Sequence, residues 1–159
     1  MYLTAFKIIL ALMLIHIVQT AFMPSFLSVE WIPDLILIFV AAIGFKLGSI
    51  TAVYSGFLTG IMVDLYASGP LGMASLVYSL LGYSLGLFDE KHFNMHFTIR
   101  LTLLGLALIL RDLFMRAHFR LTWSMALMDF LTHTIPTLIS TLTVGFLILY
   151  FYQRKQTQY

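Results

Sequence analysis

Residues 49–88 read SITAVYSGFLTGIMVDLYASGPLGMASLVYSLLGYSLGLF, and the parsing of this stretch decides the fold. It gives two apolar helices joined by a turn at Ser68-Gly69-Pro70. In the first, Gly48, Ala52, Gly56 and Gly60 recur every four residues, and Asp64 is the next step on that stripe. Four residues turn a helix by about 400°, so the stripe drifts only ~40° per step and keeps to one face. Small residues on one face of a membrane helix admit a neighbouring backbone, which is how helices pack where lipid removes the hydrophobic drive between them. In the second helix, Gly72, Ser75, Ser79, Gly82 and Gly86 alternate three and four apart, the spacing of a left-handed seam. Both helices read as interior members of a bundle, with Gly56, Gly60, Gly72 and Gly82 as packing or partner-binding positions. Gly44, off the stripe, is expected to matter less.

The composition agrees. Of 159 residues, 60% are hydrophobic and 10% charged. A soluble chain carries about a quarter charged residues, so lipid must be the solvent for most of this surface. The reading is an all-α membrane protein with one domain over residues 1–159. The absence of cysteine excludes disulfides, thiolate chemistry and cysteine-ligated metal or iron–sulfur clusters. A formal net charge of +2 is too small for a nucleic-acid footprint. No cofactor is implied.

Working outward, six apolar segments are expected. The first, Ile8–Phe22, follows Lys7 and is too long for a signal-peptide core, so it reads as a span rather than a cleaved leader. Its His16, Gln19 and Thr20 belong toward the bundle interior. The second, Pro33–Phe45, opens with Asp34 in its first turn, where a negative charge suits the helix dipole. It is short, and a re-entrant hairpin is the alternative. The third and fourth are Ser49–Ala67 and Pro70–Phe88, followed by the hydrophilic loop Asp89–His96. The fifth is Thr98–Leu110, reaching Met115 if Arg111 and Asp112 are buried, with an amphipathic stretch Arg111–Trp123 after it. The sixth, Ser124–Tyr152, is kinked where Pro136 withholds an amide from Thr132.

With both termini cytoplasmic, the inner side carries Lys7, Lys46, Lys91, Arg100, Arg154 and Lys155. The outer side then carries Arg111, Arg116 and Arg120, and six against three satisfies the positive-inside rule. The acids Glu30, Asp34, Asp64, Asp112 and Asp129 fall at the outer ends, ready to hold those arginines. Asp64 lies ~24 Å above Gly48 and Arg111 ~20 Å above Thr98 at 1.5 Å per residue, with Asp129 and His133 level with them. A buried polar cluster of Asp64, Arg111, Asp129 and His133 is therefore expected, with Arg111 contacting Asp64 or Asp129.

Asp129 and His133 are four apart on one helix, but a metal would need a third ligand such as His16 or Asp64, and nothing in the spacing supplies one. His92 and His96 share that spacing in the wet loop. No HExxH, Gly-x-Ser-x-Gly or phosphate-cradling loop is present. Nothing points to an enzyme.

The order of motifs resembles the MreD family of bacterial rod-shape-determining membrane proteins. The matching text is Pro33-Asp34 opening a Leu/Ile-rich span and Gly44-Phe45-Lys46-Leu47-Gly48 as the basic turn. It continues through Gly56, Gly60 and Asp64, then Gly69-Pro70-Leu71-Gly72, and ends with Tyr78 and Gly82-Tyr83. The resemblance is carried by Pro33 to about Phe88. It implies a non-enzymatic scaffold of cell-wall elongation in the bacterial inner membrane, bound to the single-span periplasmic protein MreC. It also implies work beside MreB, the RodA glycosyltransferase and a penicillin-binding transpeptidase. The family's six-helix architecture is similar to that of the substrate-binding S components of vitamin transporters, and this supplies a rival reading. A transporter would ring an outward pocket with Asp64, Arg111, Asp129 and His133. A scaffold would neutralise that cluster and leave a small-residue seam open.

Overall fold

The computed structural model describes residues 2–66, 70–90, 92, 96–117, 128 and 130–156, and their regular structure is entirely helical. Helix α1 runs Tyr2–Ile17 and continues through a π turn, Val18–Phe22, into Met23–Phe26. A single 3-10 turn, Val29–Trp31, leads to α2, Leu35–Leu47. Then come α3, Ser49–Tyr66, α4, Met73–Gly86, and α5, Phe97–Ala117. Helix α6 opens with a π turn, Phe130–Thr134, and runs on as Ile135–Gln156. The stretches Phe6–Phe26, Ser49–Tyr66 and Phe130–Ile148 are each long and apolar enough to cross a membrane.

Local chemistry explains where these bounds depart from expectation. Asp34 lies just outside α2, not in its first turn, and caps it by accepting from the Leu37 amide at 2.9 Å. Helix α4 starts at Met73, because Gly72 takes the cap position at φ 94°, a left-handed backbone that glycine adopts without a steric penalty. Gly72 is thus a turn residue and not a packing one; a Cβ there would meet nothing within 4 Å. Helix α5 continues past Arg111 and Asp112, taking both into the helix. At Pro136 the α6 backbone carries the π turn Phe130–Thr134 in the turn that precedes it.

The centre of the bundle is α2. Its sequence is apolar on every side, and Leu37 and Val40 are wholly inaccessible. It packs against Val77, Tyr78, Leu81 and Leu85 of α4 and against Leu104 and Leu108 of α5 in one core. Helices α3 and α4 meet backbone to backbone. A Cβ on Gly60 would run into the Ser75 backbone, one on Gly56 into the Tyr78 carbonyl, and one on Gly82 would lie 2.6 Å from the Ala52 oxygen. Gly44 lies at the edge of the same packing, where its Cβ would stand 3.1 Å from the Gly86 nitrogen, a looser fit than the 2.2 Å from the Ser75 Cα at Gly60. The seam of small residues is therefore closed on itself, α3 against α4, and the open seam expected of a scaffold is not found at Gly56, Gly60, Gly82 and Gly86.

Candidate functional site

Four of the described helices, α1, α4, α5 and α6, send a polar group to the N-terminus of α2. Asp34, only 1% exposed, accepts from the Tyr78 hydroxyl of α4 through Oδ2 at 3.1 Å. The same oxygen lies 3.3 Å from Nη2 of Arg111 on α5. Arg111 Nη1 donates to the neighbouring Asp112 at 2.6 Å, and its guanidinium carbon stands 6.0 Å from the Tyr78 ring centroid. From α6, Thr134 donates to Asp112 Oδ2 and Thr141 accepts from the Asp34 amide, both at 2.9 Å. From α1, the Gln19 side-chain oxygen accepts from the Ile36 amide at 3.1 Å. Both π turns contribute here, one through Gln19 and the other through Thr134. Such turns redirect side chains by widening the helix. A guanidinium between two carboxylates is a charge arrangement that an apolar interior tolerates, because opposite charges at hydrogen-bonding distance replace much of the lost solvation; of the guanidinium nitrogens, the buried Nε has no hydrogen-bond partner.

Asp64, the remaining acid of the cluster expected from sequence, sits elsewhere. Its Oδ1 accepts from the Ala74 amide at 2.9 Å, and its Oδ2 from the Gly72 and Ser75 amides at 3.0 and 3.1 Å and from the Ser75 hydroxyl at 2.8 Å. The carboxylate of α3 thus caps α4 across the hairpin. Arg111 pairs with Asp34 and Asp112, and the expected Asp64–Arg111 contact is not made. The reason is that the free amides opening α4 are the nearer donors. Asp129, the other expected partner, lies outside the described residues, and His133 is in the α6 π turn. Asp64 borders a cleft of about 320 Å³ between α3 and α4, with Phe57, Ile61, Leu71 and Leu76 around it.

At the opposite end of the bundle a second charge pair closes the loop after α4. Arg100 Nη1 pairs with Glu90, and the Glu90 amide donates to the Phe45 carbonyl at 2.8 Å. Asp89 accepts from the His92 amide at 3.1 Å. These contacts seat the loop on the α2–α3 turn.

The profile of the MreD family, described as rod shape-determining protein MreD, matches residues 2–158. The chain belongs to the MreD family. Neither a curated protein nor a solved structure matches it. The match extends the kinship from the central third, where the motifs lie, to residues 2–158, nearly the whole chain.

The family residues named from sequence have distinct places. Pro33 and Asp34 open α2 and are buried, and Tyr78 is buried against them. Pro70 and Gly72 form the exposed approach to α4, and Tyr83 is half-exposed on its outer face. Gly69 lies outside the described residues. The sequence signalled Asp34, Tyr78 and Arg111 separately but not their meeting. Thr134 and Thr141 carried no signal, since threonines are frequent in apolar helices. Among the described residues no group of three acidic or histidine side chains is placed to hold a metal. The contacts of Asp34, Asp64 and Arg111, all made within the protein, give the transporter alternative no support.

Proposed function

We propose that this MreD-family chain is a non-enzymatic scaffold subunit of the rod-shape complex in the inner membrane. On this reading the chain is a multi-pass helical bundle in the bilayer with both termini in the cytoplasm, and it holds the membrane helix of an MreC-like single-span partner. The observation that carries the reading is the node at Asp34. The buried charges of α2 and α5 are paired within the bundle and fix how the helices stand against one another, as a rigid scaffold requires. The apolar outer faces of α1, α3 and α6 remain for lipid and for partner helices. RodA, a penicillin-binding transpeptidase and MreB are further partners on this reading.

The test is complementation and capture together. Expressed in a rod-shaped bacterium depleted of its own family member, the chain should restore rod shape and co-purify with an MreC-like protein from mild detergent. Rounded cells despite normal membrane levels, or purification without that partner, would overturn the assignment.

A further inference from the structure

The α3–α4 hairpin ends at a different level from its neighbour α1, and contacts between the helices set that level. Tyr66, the last residue of α3, lies against His16 of α1, with ring centroids 5.3 Å apart and planes tilted by 39°. His16 lies midway along the apolar span Phe6–Phe26. The start of α2 is tied to nearly the same height by the Gln19–Ile36 bond. The direction of α1 follows from the chain after it. Thr137 donates to the Glu30 carbonyl and Thr141 accepts from the Asp34 amide, so residues 30–34 descend alongside α6 toward α2. Phe26 must stand near Glu30, because four residues reach at most about 14 Å, and this places residues 17–26 beyond the end of α3. Ten residues of helix are about 15 Å, so α1 overtops the hairpin by roughly that length.

The end of the hairpin is apolar. Leu65, Tyr66 and Leu71 are 71%, 78% and 79% exposed in the isolated chain, and no charged residue occurs between Asp64 and Asp89. By contrast the other end of these helices carries Lys46, Asp89 and Glu90.

We infer that the α3–α4 hairpin turns inside the bilayer, its Leu65–Tyr66 and Leu71–Gly72 end immersed in the hydrocarbon of one leaflet. Helix ends have unpaired amides, and in hydrocarbon each would be costly unless satisfied from within the protein. Asp64 meets that requirement on the α4 side, since it accepts the amides of Gly72, Ala74 and Ser75. The surface at the end of the hairpin is therefore a lipid-contact surface, covered by acyl chains.

The chain has no cysteine, so single-cysteine variants report cleanly. The purified protein is reconstituted alone into phosphatidylethanolamine–phosphatidylglycerol vesicles, with a membrane-impermeant maleimide present on both sides of the bilayer. Leu71→Cys should label at least tenfold more slowly than Val29→Cys in the connection before α2, and both should label fully after solubilisation in dodecyl sulfate. A bimane attached at Leu71→Cys through a permeant reagent should be quenched by lipids brominated along the acyl chain. Labelling of Leu71→Cys as fast as Val29→Cys, or a bimane insensitive to brominated lipid, would overturn the inference. Should Leu71→Cys not fold, Leu65→Cys on the α3 side carries the same expectation.

Discussion

Nη2 of Arg111 stands 3.3 Å from Oδ2 of Asp34, and the other oxygen of that carboxylate accepts from the Leu37 amide. One side chain therefore neutralises an arginine and caps a helix together. Removing it leaves the arginine with Asp112 alone and opens the Leu37 amide, whereas removing the arginine leaves a buried anion that is still hydrogen-bonded. Asp34→Ala and Arg111→Ala should each destabilise the protein by about 3–5 kcal/mol, and the double variant by less than their sum. Unfolding in mixed micelles titrated with dodecyl sulfate measures this, and strictly additive losses would contradict the pairing.

Tyr78 tests the same node more gently. Its hydroxyl is one of several groups serving Asp34, so Tyr78→Phe should cost about 1 kcal/mol in the same titration. A loss as large as that of Asp34→Ala would mean the ring, not the hydroxyl, holds the node.

Helix contact at Gly60 leaves no room for a methyl group. Gly60→Ala should cost roughly 1–3 kcal/mol through forced separation of α3 and α4. Gly105 makes the contrast, because its Cβ would meet the flexible end of Leu142 at 3.5 Å. Gly105→Ala should leave the melting temperature in detergent nearly unchanged, and similar losses at both sites would refute the backbone contact.

For Asp64, substitution by asparagine retains one acceptor oxygen and removes the charge. Asp64→Asn should therefore be milder than Asp64→Ala, which should cost about 3 kcal/mol by stranding the α4 amides. Hydrogen exchange at Ala74 and Ser75 should quicken in Asp64→Ala. Unchanged protection there would show that the cap is unimportant.

Much of this architecture is legible in the chain. The stripe Gly56–Gly60 and the seam Gly82–Gly86 announce a close helix pair, and the structure joins them to each other. Composition and periodicity identify the helices because apolar patterning is a local property. Pairing of charges is not local. Asp64 and Arg111 have similar calculated heights along their helices, yet height says nothing of position around the bundle. Asp64 faces α4, while Arg111 faces α2. The short range between Asp64 and the Gly72–Ser75 amides was available as a capping signal, hidden by reading the helix from Pro70. Tyr78 was visible as a motif residue, but its role depends on Asp34 being a cap rather than a first-turn acid.

The node at Asp34 also has a bearing on the order of assembly. The amide of Asp34 is bonded to Thr141, 107 residues later in the chain. At a synthesis rate of about 5–20 residues per second, roughly 5–20 s separate the making of these two residues. Helix α2 therefore enters the membrane before its finishing partner exists, and so does Asp112 before Thr134 arrives. The hairpin of α3 and α4, closed by near neighbours, can settle in that interval. The last helix to be made is the one that locks the first half of the chain in place.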